Sequence, residues 1–372
     1  MSRFAPVFML ALQKNKTMKD KKGRRRFLQL AIDILSKKSL FHAIPFIYVF
    51  PCTVATAFFS CTKTGDTSWQ EVSTTINIES KSAMPVNSGS LDLFVYNMDK
   101  LGRLDSHSRQ NLGWGFPLNV EVGSRSGMKR IIALANWPAE ELEDWGAVSS
   151  LDGIGNLTCN LADDNPASPR MTGTTTITAG AASAPSISMQ ALSAKIKLAT
   201  ICCDFSGKVY EGLTIKNARV YLTNVCVNTT ISPDDVPGTA FVNIGGYSDA
   251  DMKAFGAPEL LERNIYEDIG AVKRTVDISL FCYPAEISED DAGKPQTKLV
   301  LEGEIGGRKY YYPIRLGNYT GGVIRRDITY QIDLKISRLG GDDPEATLQP
   351  GAFEATVQVL PWDNNDSQTV NY

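Results

Sequence analysis

Histidine is almost absent from this chain, as are the short motifs that carry enzyme chemistry. Only two histidines, His42 and His107, occur among the 372 residues. A catalytic triad needs a histidine base with an orienting partner, and neither histidine has an evident one in the sequence. The GSRSG stretch at 123–127 has Arg125 where a nucleophile elbow requires serine. No phosphate-binding GxxxxGKS or GxxxxGKT motif is present. We therefore predict a protein that is not an enzyme and that holds no cofactor and no metal.

Carboxylates do occur in adjacent pairs, which at suitable separations can hydrolyse glycosides. Pro and Gly flank these pairs, a context typical of turns, so we interpret them as solvated loop acids. The pairs are Asp163 with Asp164, Asp234 with Asp235, Asp290 with Asp291, and Asp342 with Asp343.

Paired cysteine motifs are also lacking. The chain has seven cysteines and no CxxC. Cys52 and Cys61 lie in or next to an N-terminal leader, which leaves an odd number in the rest of the chain: Cys159, Cys202, Cys203, Cys226 and Cys282. We expect these five to be buried small hydrophobic residues with at most one or two bridges, and which of them pair stays open.

Positive charge is scarce outside the first 60 residues. That segment holds 11 of the 38 Lys and Arg residues but only two of the 41 acids, Asp20 and Asp33. The remainder therefore carries 27 minus 39, a net charge of −12. Nucleic-acid binding needs a basic surface, so this balance argues against a nucleic-acid partner.

The first 60 residues have the order of a secretory signal. A cationic region at 19–38 precedes an apolar stretch at 39–60 that Pro45 and Pro51 interrupt. Small Ser60 stands before Cys61, which favours cleavage there and attachment of lipid to Cys61. We predict a signal peptide at 1–60. Two alternatives stay open: an uncleaved membrane anchor, because the stretch is long enough to span a bilayer, and translation from Met18 or later.

After Cys61 the hydrophobic pattern has a period of two. SLDLFVYN places Leu91, Leu93 and Val95 on one face, and TYQIDLKIS alternates in the same way from Tyr330 to Ile336. This pattern is typical of strands with one wet face. In LVLEGEIGGRKYYYPI, two apolar strands flank Gly306 and Gly307, which predicts a two-residue hairpin turn. Helical signals are few and short, at Pro138, Ser248 and 257–268.

The predicted fold class is therefore all-β, with two antiparallel β-sandwich domains in tandem and short decorating helices. A Thr-, Ala-, Gly- and Ser-rich segment at 173–188 separates two strand-rich parts. We place the domain boundary there, giving an N-terminal domain at 61–188 and a C-terminal domain at 189–372.

Several phrases occur in an order that resembles the fimbrillin family of Bacteroidia, the type V pilins and related anchors. They are SLDLFVYNMDKLGRL at 90, GMKRIIALANWP at 127, PRMTG at 169, LSAKIKLAT at 192, FCYPAEI at 281, RKYYYPIRL at 308, VIRRDITYQIDLKISRLGGDDPE at 323 and FEATVQVLPWDN at 353. The resemblance covers roughly 85–365. Two positions depart from it: Asp327 replaces a frequent Asn, whose turn we expect to survive, and Ala285 replaces the Asn of a YPN loop.

This resemblance implies two transthyretin-like sandwiches, export as a lipoprotein, exposure on the outer membrane and assembly into a fimbria. Family members are thought to polymerise by strand exchange, in which a protease removes an N-terminal strand and a neighbour's C-terminal strand replaces it. Here the removable strand would contain Val72, Thr74, Ile76 and Ile78. The donor strand would use Thr369, Val370 and Tyr372, although this tail is equally consistent with a frayed terminus.

The processing site distinguishes two roles. Family processing usually needs Arg, but no Arg occurs between Cys61 and Arg103, and the loop after the first strand offers only Lys81. Either a protease cuts at Lys81, or the chain keeps its lipid and serves as a basal anchor, with Lys81 as a solvated charge.

A third alternative is a surface lipoprotein that binds glycan or host protein without polymerising. Trp114, Trp137 and Trp145, which we expect on loops, would then be the contact residues if they are exposed. Other fimbrial subunits and the outer membrane remain the first expected partners.

Overall fold

The computed structural model describes residues 70–80, 89–112, 116–182, 184–231, 238–286, 296–348 and 351–362. The strands are β1 Glu71–Ser80, β2 Ser90–Asn97, β3 Leu104–Asn111, β4 Leu118–Arg125, β5 Gly127–Ala135, β6 Thr158–Asn160, β7 Met171–Ala179, β8 Ser186–Ala191, β9 Ala194–Cys203, β10 Lys216–Thr223, β11 Val225–Cys226, β12 Asn228–Thr230, β13 Phe241–Val242, β14 Glu262–Ile265, β15 Arg274–Cys282, β16 Ala285–Glu286, β17 Lys298–Ile305, β18 Arg308–Arg315, β19 Val323–Ile324, β20 Ile328–Ile336 and β21 Phe353–Pro361. The all-β prediction is confirmed.

Helices are short and lie between strands. They are α1 Trp145–Val148, α2 Leu151–Gly155, α3 Asp249–Phe255 and α4 Gly317–Thr320, with 3-10 turns at Ala139–Glu141, Leu161–Asp163 and Pro258–Leu260. Helix α3 begins as predicted, because the Ser248 hydroxyl accepts a hydrogen bond from the Asp251 amide. No helix among the described residues is long and apolar enough to cross a membrane.

The first eight strands, except β6, form one seven-stranded sheet in the order β3-β2-β5-β7-β8-β1-β4. Its inner face encloses an apolar core that includes Ile76, Leu93 and Val122. The two edge strands meet, since the Ser106 hydroxyl on β3 donates to the Gly123 carbonyl on β4 at 2.6 Å. The sheet therefore curls around its core until its edges touch.

The second half of the chain forms two four-stranded sheets, β14-β10-β17-β18 and β15-β9-β20-β21. A second apolar core contains side chains of both, among them Val220 and Ile332. The predicted hairpin is confirmed: β17 pairs antiparallel with β18 from Lys298 with Arg315 to Ile305 with Arg308. Gly306 and Gly307 connect them with φ of 59° and 81°, which a side chain would disfavour.

The Ser- and Thr-rich segment at 173–188 is not a linker, contrary to its composition. Residues Met171–Ala179 form β7 and residues Ser186–Ala191 form β8, both within the seven-stranded sheet. Ser, Thr and Gly do not prevent strand formation here, because Ile177, Ile187 and Met189 fill the core beneath them. The change from one sheet system to the next falls between β8 and β9.

The two halves of the chain are joined by strand pairing and by a shared core, in addition to the covalent connection between β8 and β9. Strand β6 pairs with β12 across the predicted boundary. The second core also takes in Trp137 and Ile154 from the first half. The division into two tandem domains at residue 188 stays a prediction.

Several strands are buried on both faces, which corrects the expectation of one wet face. On β2, Leu93 belongs to the first core and Phe94 to the second. On β9, Lys195 is buried rather than exposed, with its ammonium 5.0 Å from the centre of the Trp362 ring. A strand flanked by layers on both sides has no solvated face, whatever its sequence alternation.

The cysteines of the described residues are free thiols. All five, Cys159, Cys202, Cys203, Cys226 and Cys282, are buried and unbridged. Burial raises the pKa of Cys159 to about 12, so its thiol stays neutral and packs as a small apolar group.

Candidate functional site

Strand β1 is the candidate removable strand, and the structure places it inside the seven-stranded sheet. Its side chains alternate as the sequence predicted, with Thr74, Ile76 and Ile78 buried and Val72 half-buried. The outward side chains are polar, and on the outer face Ser73 donates to Glu121 of β4 at 2.6 Å. Thus β1 contributes Ile76 and Ile78 to the core, with Val72 packed at its margin.

The two neighbours of β1 hold it unequally. Strand β4 pairs antiparallel with it from Glu71 with Arg125 to Ile78 with Leu118. Strand β8 pairs with it in parallel, but only from Asn77 with Ser186 to Ser80 with Met189. The first half of β1 therefore has a ladder on one side only among the described residues, so withdrawing β1 would open a slit between β4 and β8.

The floor of that slit is apolar. Ile76 and Ile78 are fully buried and share a core with Val120, Val122 and Ile187. Burying an isoleucine side chain contributes about 1.5–3 kcal/mol, so the loss of two would expose surface that favours refilling. Unpaired amide and carbonyl groups on β4 and β8 would add hydrogen-bonding positions for an incoming strand.

A surface cavity of about 520 Å³ lies at the start of β1. It is lined by Glu71, Val72, Ser73, Asp105, Ser106, Gly123, Ser124 and Arg125. Beneath it the ammonium of Lys129 lies 2.9 Å from the carboxylate of Asp105, and both side chains are buried. Burial opposes ionisation of Asp105, but the Arg125 amide and the Lys129 ammonium outweigh it and hold its pKa below the ordinary value. This ion pair thus connects β3 to β5 beside the start of β1.

His107 has a partner that the sequence did not make evident. It lies on β3, where its Nε2 is 2.9 Å from Asp92 Oδ1 and its ring stacks on Phe94 at 4.3 Å. Arg109 approaches the other carboxylate oxygen of Asp92 at 3.4 Å. Burial raises the pKa of Asp92, while His107 and Arg109 oppose that shift. These residues form a cross-strand polar cluster that joins β2 to β3.

One member of the acid pairs, Asp164, is not solvated. Asp164 is buried, accepts a hydrogen bond from the Tyr283 hydroxyl at 2.9 Å, and lies 3.3 Å from the Arg170 guanidinium. Arg170 also makes two hydrogen bonds to Glu141 and packs over the Trp137 ring. No local pattern in the sequence indicates this cluster, because its members come from distant segments. By contrast, Asp343 only accepts a local bond from the Glu345 amide.

Other predicted residues fall outside the described part of the chain. These are Cys61, Lys81, Trp114, the pairs Asp234 with Asp235 and Asp290 with Asp291, and Thr369, Val370 and Tyr372. Of the remaining tryptophans, Trp137 is buried and Trp145 is exposed. No group of three or more potential metal ligands occurs within the ranges described above.

Comparison with known proteins gives matches in structure alone. No protein-family model and no curated protein sequence matches this chain. A protein assigned to cell adhesion from Bacteroides eggerthii matches with a TM-score of 0.59 at 15% identity, over 79% of this chain and 97% of that one. A fimbrilin from Porphyromonas gingivalis matches with 0.56 at 17%, over 78% and 97%. The tip fimbrial protein Mfa3 of the same organism, truncated at its C-terminus, matches with 0.50 at 14%, over 79% and 100%.

Proposed function

The chain has the fimbrillin fold, and from that premise we propose that it is a structural subunit of a type V fimbria that supports adhesion. In this proposal it is exported as a lipoprotein, held at the outer membrane surface through lipid on Cys61, and assembled by protease-triggered strand exchange with other fimbrial subunits.

The observation that carries the proposal is the state of β1. It is the first strand described, it fills the core with Ile76 and Ile78, and β8 holds only its last four residues. A strand at the chain's front can leave without unthreading the rest of the sheet. Because the slit left behind would be apolar below and unpaired on both sides, a neighbour's extended segment could restore the ladder and the burial.

The candidate donor follows β21, the edge strand of its sheet. Strand β21 ends at Pro361, which lacks an amide hydrogen, and Trp362 packs on Phe281 with ring centres 5.7 Å apart. Residues after Trp362, with Thr369, Val370 and Tyr372, would then extend to a neighbouring subunit.

A basal anchor is the second candidate function. The observation that favours it is the lack of any Arg between Cys61 and Arg103, which leaves Lys81 as the basic residue of the loop after β1. A chain that is never cut would keep both its lipid and β1. A glycan- or protein-binding role has weaker support, since Trp137 is buried against Arg170 and Trp145 is the exposed indole of the described part.

The deciding experiment combines the mature N-terminus with controlled proteolysis. We expect the processed protein to begin at Ser82, and mild trypsin treatment of the precursor to yield laddered oligomers that resist SDS. The matched control is Lys81→Gln, which removes the cleavage site while leaving β1 intact and should give no ladder.

Two results would contradict polymerisation. One is a parent chain that begins at Cys61 and retains lipid when it is isolated, and that stays monomeric after trypsin treatment. This result would favour the anchor. The other is a Lys81→Gln chain that forms the same ladder as the parent, which would show that release of β1 is not the trigger.

A further inference from the structure

One end of the seven-stranded sheet gathers the start of β1 and two turns. The Ser126 amide, between β4 and β5, donates to the Gln70 carbonyl at 2.8 Å. The Met98 amide, just after β2, donates to the Met128 carbonyl at 3.2 Å. We call this region, made of residues 70–71, 97–105 and 125–130, the Met128 end.

Exposed apolar side chains concentrate at this end. All exposed large apolar side chains among the described residues before β9 lie on it or on the adjoining helix α1: Met98, Leu101, Met128 and Trp145. Leu101 is 64% exposed at the tip of the β2–β3 turn, and Met128 is 60% exposed on β5. Helix α1 adjoins them because the Leu104 amide donates to the Ser149 carbonyl, one helical turn beyond Trp145. Grouped apolar exposure of this kind marks an interaction surface.

The Met128 end is also basic, unlike the chain after residue 60 as a whole. Its cations are Lys100, Arg103, Arg125, Lys129 and Arg130, and its acids are Glu71, Asp99 and Asp105. Five minus three leaves a net charge of +2, whereas the chain after residue 60 carries 27 minus 39, or −12. A positive, partly apolar surface on an acidic protein is complementary to a surface of anionic headgroups over acyl chains.

The proposed lipid attachment point is close to this end in the sequence. Gln70 follows Cys61 by nine positions. A fully extended chain covers at most about 3.6 Å per residue, so nine positions span at most about 32 Å. Lipid on Cys61 would therefore hold the Met128 end next to the bilayer.

We propose that the Met128 end docks on the anionic lipid surface into which the lipid on Cys61 is inserted. Leu101, Met98 and Met128 enter the headgroup boundary, and the exposed cations Lys100, Arg103 and Arg125 face lipid phosphates. Docking adds to the membrane affinity that the lipid provides. It also fixes the orientation of the subunit before β1 is released. This inference rests on the proposed acylation of Cys61.

The test places a fluorescent reporter at two exposed sites. Acylated protein is purified from outer membranes as the parent chain, as Leu101→Trp and as Val272→Trp, the last being the matched control because Val272 is 76% exposed in the C-terminal half. Each is reconstituted into vesicles of phosphatidylethanolamine and phosphatidylglycerol, with and without bromine on the acyl chains. We expect brominated chains to quench the emission added by Leu101→Trp and to leave that of Val272→Trp unchanged.

The outcomes separate this inference from the proposed function. A parent chain that fails to float with the vesicles contradicts acylation, whereas one that floats without quenching at position 101 contradicts docking alone. A blue shift of Leu101→Trp that is already complete before vesicles are added would mean that a second copy or residues 61–69 cover this end, and would overturn the proposal. In the double variant Leu101→Asp with Met128→Asp, we expect quenching of Trp145 to be lost relative to the parent.

Discussion

Asp327 connects three parts of the fold through its side chain and its backbone. Its backbone is left-handed, with φ of 60°, and its carboxylate accepts a hydrogen bond from the Ala191 amide at 3.0 Å. Its amide donates to the Ser193 carbonyl and its carbonyl accepts from the Trp362 amide, both at 3.0 Å. The bond between the Asp327 carboxylate and the Ala191 amide joins residues that are 136 positions apart in the sequence.

We predict that Asp327→Ala destabilises the protein by about 1–3 kcal/mol, because the buried Ala191 amide loses its acceptor and alanine disfavours a positive φ. Asp327→Asn is the matched control, since asparagine tolerates that backbone and keeps an acceptor oxygen, and it should lie near the parent. Chemical denaturation of the three proteins measures the difference. Equal midpoints for the alanine and asparagine variants would contradict this account.

Strand β1 is buried in the core but is held unequally by its neighbours. Ile76 and Ile78 pack into the core, but one side of its first half has no ladder partner among the described residues. Most of its binding energy therefore comes from a few side chains and from β4. Under the proposed function, such a strand would be stable in the intact chain and would be replaced by another of the same pattern after cleavage.

In the intact chain we predict that Ile76→Ala costs about 2–5 kcal/mol, since it removes fully buried methyl groups and leaves a cavity. The adjacent Thr75→Ala serves as control, because Thr75 is exposed on the same strand and strand preference alone changes stability by at most about 1 kcal/mol. Thermal or denaturant unfolding gives both values. A loss at Ile76 no larger than at Thr75 would mean that β1 is not packed into the core.

Across the whole molecule, the two sheet systems are coupled by a buried polar cluster as well as by apolar contacts. Asp164 and Arg170 come from the first half and Tyr283 from the second, and they meet beside the β6–β12 pair. Burial raises the pKa of Asp164 to about 7, with the Tyr283 hydroxyl and the Arg170 guanidinium opposing the shift. We therefore expect the stability of this junction to depend on pH.

The sign of the pH effect follows from proton linkage. Unfolded Asp164 releases its proton near pH 3.8, whereas the folded state retains it up to about pH 7. Between these values the folded state binds more protons, so this group's contribution makes stability fall as pH rises through that window. We predict that Asp164→Asn flattens this part of the stability profile, because asparagine can still accept from Tyr283 but does not titrate.

The variant Asp342→Asn is the control for that measurement, since Asp342 is exposed and lies in a turn of the second half of the chain. Its profile between pH 4 and 7 should follow that of the parent. Denaturant midpoints at several pH values provide the data. If Asp164→Asn keeps the slope of the parent, the buried carboxyl is not the source of the pH dependence.

Local patterns in the sequence were sufficient to predict many of the strands, turns and helix ends of this protein. The alternation in β1 and β20, the glycine pair between β17 and β18, and the serine cap of α3 depend on neighbours within a few residues. An ordered set of phrases also predicted the fold that the structural matches confirm. Each of these signals is readable because backbone geometry and side-chain direction have a short, fixed period.

Burial of polar groups could not be predicted in that way. Asp164 looked solvated in the sequence and His107 had no evident partner, yet both of them, like the buried Lys195, contact a distant strand or loop. The segment at 173–188 resembled a linker for the same reason, since its place in the sheet depends on what packs beneath it. Composition, charge and strand pattern are properties of the chain, whereas solvent exposure and charge pairing arise only when remote segments meet, because both depend on which atoms replace water around a group.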